Sequence, residues 1–269
     1  MSLIKYQKPI EEKFNIIDKK SNNVPFRLNK VQLNFLEQAE GRDIILKARQ
    51  LGFSSLILAI FACDFLYRPY SFSVVVADNT DNSLDLLDRV KIYLKSYEEK
   101  SGNKIPLKYN SKYEMYNQYN GARYKIGSAE NREFGRSKTI TNLHLAEISR
   151  YPNAEKIFAS ALQAVTPKGR VFIETTANGF NYFKSLWDES ELGERPFKTH
   201  FYNYAWEDEY DEQFIRNKRA ELKRLFVQEY PENAQEAFIT SGDTYFDKFA
   251  LESYLKKELK PTKEDLIYI

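Results

Sequence analysis

Residues 47–55 read Lys-Ala-Arg-Gln-Leu-Gly-Phe-Ser-Ser and follow the apolar stretch Ile44-Ile45-Leu46. A cation, a glycine and two hydroxyls between a strand and a helix suit the binding of a phosphate. In the usual phosphate-binding loop, G-x-x-x-x-G-K-[ST], glycines let backbone N–H groups wrap the anion, the lysine neutralises it and the hydroxyl holds magnesium. Aligned on Gly52, this chain has Phe53 in the lysine slot and Lys47 in the first-glycine slot. Ser54 then takes the place of the magnesium-binding hydroxyl, with Ser55 as its substitute if the alignment slips by one. The plainer alternative is that Gly52 only caps a turn between strand and helix.

Two further segments bear on the choice. Leu143-His-Leu-Ala-Glu147 is a strand-like run ending in an acid, and Val171-Phe-Ile-Glu-Thr-Thr-Ala-Asn-Gly179 is a strand ending in a polar turn. A carboxylate at a strand end can polarise an attacking water, or it can be an N-cap or surface acid. Thr175, Thr176 and Asn178 carry small polar side chains that can exchange hydrogen bonds between a ligand and the backbone at low cost. His144 shares a strand face with Ala146. With His200 the only other histidine, a zinc site is not expected, and His144 is given no catalytic role.

In order and spacing these three segments resemble the ATPase domain of the large terminase subunit of tailed bacteriophages, the motor that packages DNA into a procapsid. The resemblance covers residues 25–250. Many members carry the displaced lysine with an Arg-Gln-x-Gly core, here Arg49-Gln50-Leu51-Gly52. They also have an acid-ended Walker B strand and a Thr-Thr-x-Asn coupling motif. The resemblance implies an α/β P-loop NTPase of the ASCE type, with a mostly parallel central sheet flanked by helices and a small helical lid.

The same resemblance implies ATP and Mg²⁺ as cofactors. Lys47, Arg49, Gln50, Gly52, Phe53, Ser54, Ser55, Thr176 and Asn178 would meet the nucleotide, and Gln32 would read adenine. Ser54 and Glu147 would stand at the metal, Lys47 would supply the charge that Phe53 cannot, and Glu147 would be the catalytic carboxylate. Arg49 would touch the γ-phosphate or pair with an acid in the lid. Arg136, with Arg132 in reserve, would complete a neighbour's site. The usual Walker B pair is Asp-Glu, so Ala146 is a departure that bears on metal affinity. The implied partners are double-stranded DNA, further copies in a ring on the portal, the portal protein and the small terminase subunit. The implied location is the host cytoplasm, transiently at the procapsid portal vertex.

The elements that must position these residues follow from composition and periodicity. A chain of 269 residues with 42% hydrophobic content, 19 Phe and 19 Tyr can bury a sizeable core. A single cysteine, Cys63, excludes an internal disulfide and fits a reducing compartment. It lies in the apolar run 56–63, which is too short to span a bilayer and reads as a buried helix. The N-terminus has no apolar signal core, and no membrane partner is expected. The net charge of +2 says little about nucleic acid. Between Arg89 and Lys112, however, seven basic residues face two acids, Glu98 and Glu99, which reads as a solvated face or as a track for DNA phosphates.

Strands are expected at 43–48, 71–77, 140–146, 170–175 and 198–204, with helices at 54–67 and 82–98 between them. Residues 102–126 read as one or two antiparallel edge strands and loops. Such alternation predicts crossover units and a mostly parallel sheet. A charged helix over 211–226 and a short one over 232–238 after Pro231 would form the lid, giving a core at 1–206, a lid at 207–250 and a linker at 251–269. Phe238-Ile-Thr-Ser-Gly242 resembles the segment ahead of a ribonuclease-H-type nuclease, and 266–269 resembles its first strand. The resemblance thus implies an ATPase-domain portion without nuclease activity.

Two other readings stand beside it. A helicase-like or repair ATPase would need a second recA-like half, for which the lid leaves no room. A non-enzymatic scaffold would explain Phe53 and Ala146 as decay, but decay gives no reason to place Lys47 where a phosphate can still be reached.

Overall fold

The computed structural model describes residues 2–130 and 139–239. In chain order it contains α1 (Gln7–Lys13), β1 (Asn15–Ile17), β2 (Asn23–Pro25), α2 (Lys30–Gln38), β3 (Arg42–Lys47), α3 (Phe53–Tyr67), β4 (Phe72–Ala77) and α4 (Thr80–Ser101). These are followed by β5 (Leu107–Asn110), β6 (Glu114–Asn117), β7 (Arg123–Ser128), β8 (Ile140–Ala146), α5 (Ala154–Gln163), β9 (Val165–Thr175), α6 (Tyr182–Glu191) and β10 (Lys198–Tyr202). The short helices α7 (Glu212–Leu222), α8 (Phe226–Glu229) and α9 (Ala234–Ile239) complete the described chain.

Eight strands form one sheet in the order β10-β3-β9-β8-β4-β7-β6-β5, while β1 and β2 pair as a separate hairpin. Neighbours from β10 to β7 run parallel, and only β6 and β5 are added antiparallel. Every residue of β4 is buried, as expected for a parallel strand covered on both faces. Alternate residues of each strand serve opposite cores. Ile45, Phe172 and Ala146 join α3 and α4 in one cluster, whereas Leu46, Ile173 and Leu145 join α5 and α6 in the other. Helix α3 is buried almost throughout from Phe53 to Phe65, because sheet and helices enclose it on all sides.

Three details differ from the sequence expectation. Residues 102–126 supply three strands, and β7 is internal because it pairs in parallel with β4. Helix α4 starts at Thr80, capped by the Asn79 side chain, and runs to Ser101, where Gly102 at φ 71° closes it. The charged segment 211–226 breaks after Leu222, and α8 is a separate turn.

The strand order matters most for function, since β9 is inserted between β3 and β8. The C-terminal ends of these three strands therefore lie side by side. At the opposite end, the Arg170 guanidinium donates to Asp64, to Asn142 Oδ1 at 3.0 Å and to the Tyr6 hydroxyl at 2.8 Å, tying the N-terminal turn to α3 and the sheet. Among the described residues no helix is long and apolar enough to cross a membrane.

Candidate active site

The loop between β3 and α3 is shaped from behind. Asn29 Nδ2 donates to Leu51 O at 3.4 Å and Gln32 Nε2 to Gly52 O at 2.8 Å. In a trans peptide the N–H points opposite to the carbonyl, so drawing these two carbonyls outward turns the Gly52 and Phe53 amides the other way. Gly52 sits at φ 82°, a left-handed conformation, and a Cβ there would lie 2.7 Å from Gln32 Nε2. Gln50, at φ 60°, adopts the same region without being glycine. No side chain caps the N-terminus of α3, which leaves its leading amides and its dipole to an anion.

In front of this loop opens a cleft of about 1050 Å³, lined among others by Lys47, Arg49, Gln50, Ser54, Glu147 and Thr176. Its size suits a small-molecule ligand. Gly52, Phe53 and Ser55 also line it. The Phe53 ring itself is buried, edge-on to Phe35 at 5.6 Å and 4.9 Å from the Tyr202 ring. The lysine slot of the loop has thus become a core position.

Lys47 leaves the end of β3 almost fully buried, and its Nζ lies 3.1 Å from Glu147 Oε1 and 3.1 Å from Glu174 Oε2. Burial alone would push its amine down, but the two carboxylates outweigh burial and hold it well above its ordinary 10.5. For Glu174 burial pushes the carboxyl up; Lys47, then His144 and Ser54, outweigh that and hold it well below its ordinary 4.5. Ser54 donates to Glu174 Oε1 at 2.5 Å. His144 lies beneath, wholly buried, with Nε2 3.4 Å from the same oxygen.

Glu147 follows β8 at φ 57°, a conformation rare for a side-chain-bearing residue and frequent at functional sites. Its Oε2 accepts from the Thr175 hydroxyl at 3.2 Å and the Thr176 amide at 3.3 Å, so the turn after β9 grips the carboxylate. Thr176 is 3% exposed and its hydroxyl has no partner among the described residues, an orphan at the cleft wall. Asn178 instead donates to Ser149 O at 3.2 Å, bracing the turn behind Glu147.

The remaining expectations fall unevenly. Arg49 Nη1 lies 3.3 Å from Glu229 Oε2 and its amide donates to Glu229 O, so the lid pair is the contact present. Gln32 is buried; its amide receives the Asn29 N–H and holds Gly52, and it is not part of the cleft wall. Arg132 and Arg136 lie outside the described residues, as do residues 240–269. The basic run from Arg89 to Lys112 is dispersed. Arg89 lines the cleft, Lys91, Lys95 and Lys104 pair with nearby acids, and Lys100 donates to Phe14 O.

Sequence reasoning missed Glu174, Arg150 and Glu229. Glu174 had a signal, an acid at the end of an apolar strand that no core tolerates unpaired. Arg150, 3.7 Å from Glu229 Oε1, and Glu229 itself gain their places only through tertiary packing.

No family model and no curated protein matches this sequence. Solved structures do resemble it. The large terminase ATPase domain of Thermus phage P74-26 shares 17% identity, with 76% of this chain and 93% of that one covered, at a TM-score of 0.60. The large terminase of bacteriophage HK97 shares 17% identity over 88% of this chain, at a TM-score of 0.61. A large terminase from a thermophilic bacteriophage, solved in complex with ATP-gamma-S, shares 11% over 75%, at a TM-score of 0.54. This chain spans 50% and 51% of the latter two proteins. The likeness over most of the chain makes this the fold of a large terminase ATPase domain.

Proposed function

We propose that this chain hydrolyses ATP and uses the reaction to drive double-stranded viral DNA into a procapsid. The observation that carries the reading is the meeting of Lys47, Ser54, Glu147 and the orphan Thr176 hydroxyl around the uncapped start of α3. The loop amides and Lys47 hold the phosphates, which is most of what phosphoryl transfer asks of a protein. Glu147 orients a water and accepts its proton as the water oxygen bonds to the γ-phosphorus and the bond to the bridging oxygen breaks.

The Ser54 hydroxyl and the Glu147 carboxylate offer oxygen ligands, which fit a hard cation. Among the described residues no cluster of three acids, histidines or cysteines could hold a metal unaided, so substrate phosphates would have to complete the shell. Ser54 and Glu147 would hold Mg²⁺, which when bound neutralises phosphate charge. The likeness to terminases supports DNA, a ring of copies on the portal, the portal protein and the small subunit as partners, and the host cytoplasm as the setting. Arg136 is the proposed arginine for a neighbour's site.

The test is ATP turnover per chain against protein concentration, with and without duplex DNA, using Glu147→Gln as the blank. A per-chain rate that climbs with concentration supports the motor. Absence of turnover at every concentration, with DNA present, contradicts it and favours a scaffold.

A further inference from the structure

The acid that normally precedes the catalytic glutamate is missing from this chain, where Ala146 stands in its place. On the neighbouring strand, Glu174 is the register partner of Ala146. Register partners in parallel strands point to the same face of a sheet. That face belongs to α3, because Ala146 and Phe172 both pack in the α3 cluster and Glu174 follows Phe172 by two residues. Adjacent strands are about 4.8 Å apart, so the longer glutamate side chain can cover the ground above an alanine methyl. A second carboxylate at 146 would crowd Glu174 with a like charge, so the pair needs an acid on one strand and a small residue on the other.

Glu174 has no exposed surface, and an ionised carboxylate is not kept there without partners. It accepts the Ser54 hydroxyl and faces Lys47. Lys47 also faces Glu147, so one ammonium serves two carboxylates. When a polyphosphate draws on that ammonium, Glu174 requires another cation beside Ser54.

We propose that Glu174 is the displaced magnesium-side acid of this site: it fixes the Ser54 hydroxyl and through that hydroxyl positions the divalent cation of bound Mg·ATP, the part an aspartate at 146 would play from β8. This rests on the nucleotide reading above. Ala146 is then one half of an exchange between adjacent strands, and the site is intact.

The test measures binding of a fluorescent ATP analogue to the full chain, with Mg²⁺ and with EDTA. The wild type, Glu174→Gln and Ala146→Asp/Glu174→Gln are compared, and each is checked by thermal melting. In the wild type Mg²⁺ tightens binding. Glu174→Gln is expected to lose roughly 10- to 100-fold of that tightening, the range of one hydrogen bond to a charged group, read as the ratio of its affinities with Mg²⁺ and with EDTA. The double variant, with the acid returned to β8, is expected to regain most of it. A Glu174→Gln protein with the full Mg²⁺ effect overturns the inference and leaves the nucleotide reading standing. A folded double variant without recovery also overturns it. Should Glu174→Gln not fold, Glu174→Asp replaces it, since its carboxylate stops one methylene short of Ser54 and the same loss is expected. Wild type that binds no ATP analogue under either condition overturns both readings.

Discussion

Lys47 and Glu147, at the ends of β3 and β8, meet through a hydrogen bond of 3.1 Å from Nζ to Oε1, although β9 lies between their strands. The long lysine side chain bridges that gap and joins the proposed phosphate-binding cation to the proposed catalytic carboxylate. A lysine in the usual loop position would start from residue 53, which here faces Phe35 and Tyr202.

Lys47→Ala is expected to abolish ATP binding or turnover. Phe53→Lys should restore nothing and should lower the melting temperature, because it exchanges a packed ring for a cation in an apolar pocket. Loss of a core phenylalanine alone costs about 3–5 kcal/mol. Melting curves and nucleotide titration of both variants check this.

Glu147→Gln should still bind ATP, since its amide can keep a contact to the coupling turn, but turnover should fall by at least about 100-fold, as for removal of a general base. Equal loss of binding and turnover would make Glu147 a structural residue. Single-turnover assays beside equilibrium binding separate the two.

Glu229 joins the lid to the loop through Arg49 and approaches Arg150 after β8. Arg49 is half-exposed, so Glu229→Gln should change stability by no more than about 1 kcal/mol. It should nonetheless speed nucleotide release, because the lid loses its charged grip on both sides of the cleft. Stopped-flow displacement of a fluorescent ATP analogue reads this directly.

The buried pair of Lys47 and Glu174 also sets a pH window for stability. Glu174 is depressed in the folded chain, so its contribution is present above its ordinary 4.5 and is lost as pH falls through the lower folded value. Lys47 is raised, so its contribution is complete below its ordinary 10.5 and is lost as pH rises through the higher folded value. Melting temperature should be insensitive to this pair between those limits. Glu174→Gln should weaken the acid-side dependence, as melting curves from pH 3 to 7 would record.

Much of this architecture is legible in the sequence because its signals are local. The run 71–77 announces a buried strand, and residues 47–55 a turn between a strand and a helix. What stays hidden is long-range. Nothing in residues 123–128 says that they pair with β4, and nothing in the order of segments says that β9 enters between β3 and β8. Glu174 therefore reads only as an acid near the end of an apolar strand until the register sets it opposite Ala146. Gln32 shows the same limit, for its partner Gly52 belongs to a different element.

The central claim is that this cleft is an ATP site built around a lysine moved to the front of its loop. Isothermal titration of ATP with Mg²⁺ into wild type and Lys47→Ala, both confirmed as folded, tests it most directly. The account predicts saturable binding by the wild type at one site per chain and its loss in Lys47→Ala. Equal binding by the two proteins, or none by the wild type, would contradict it.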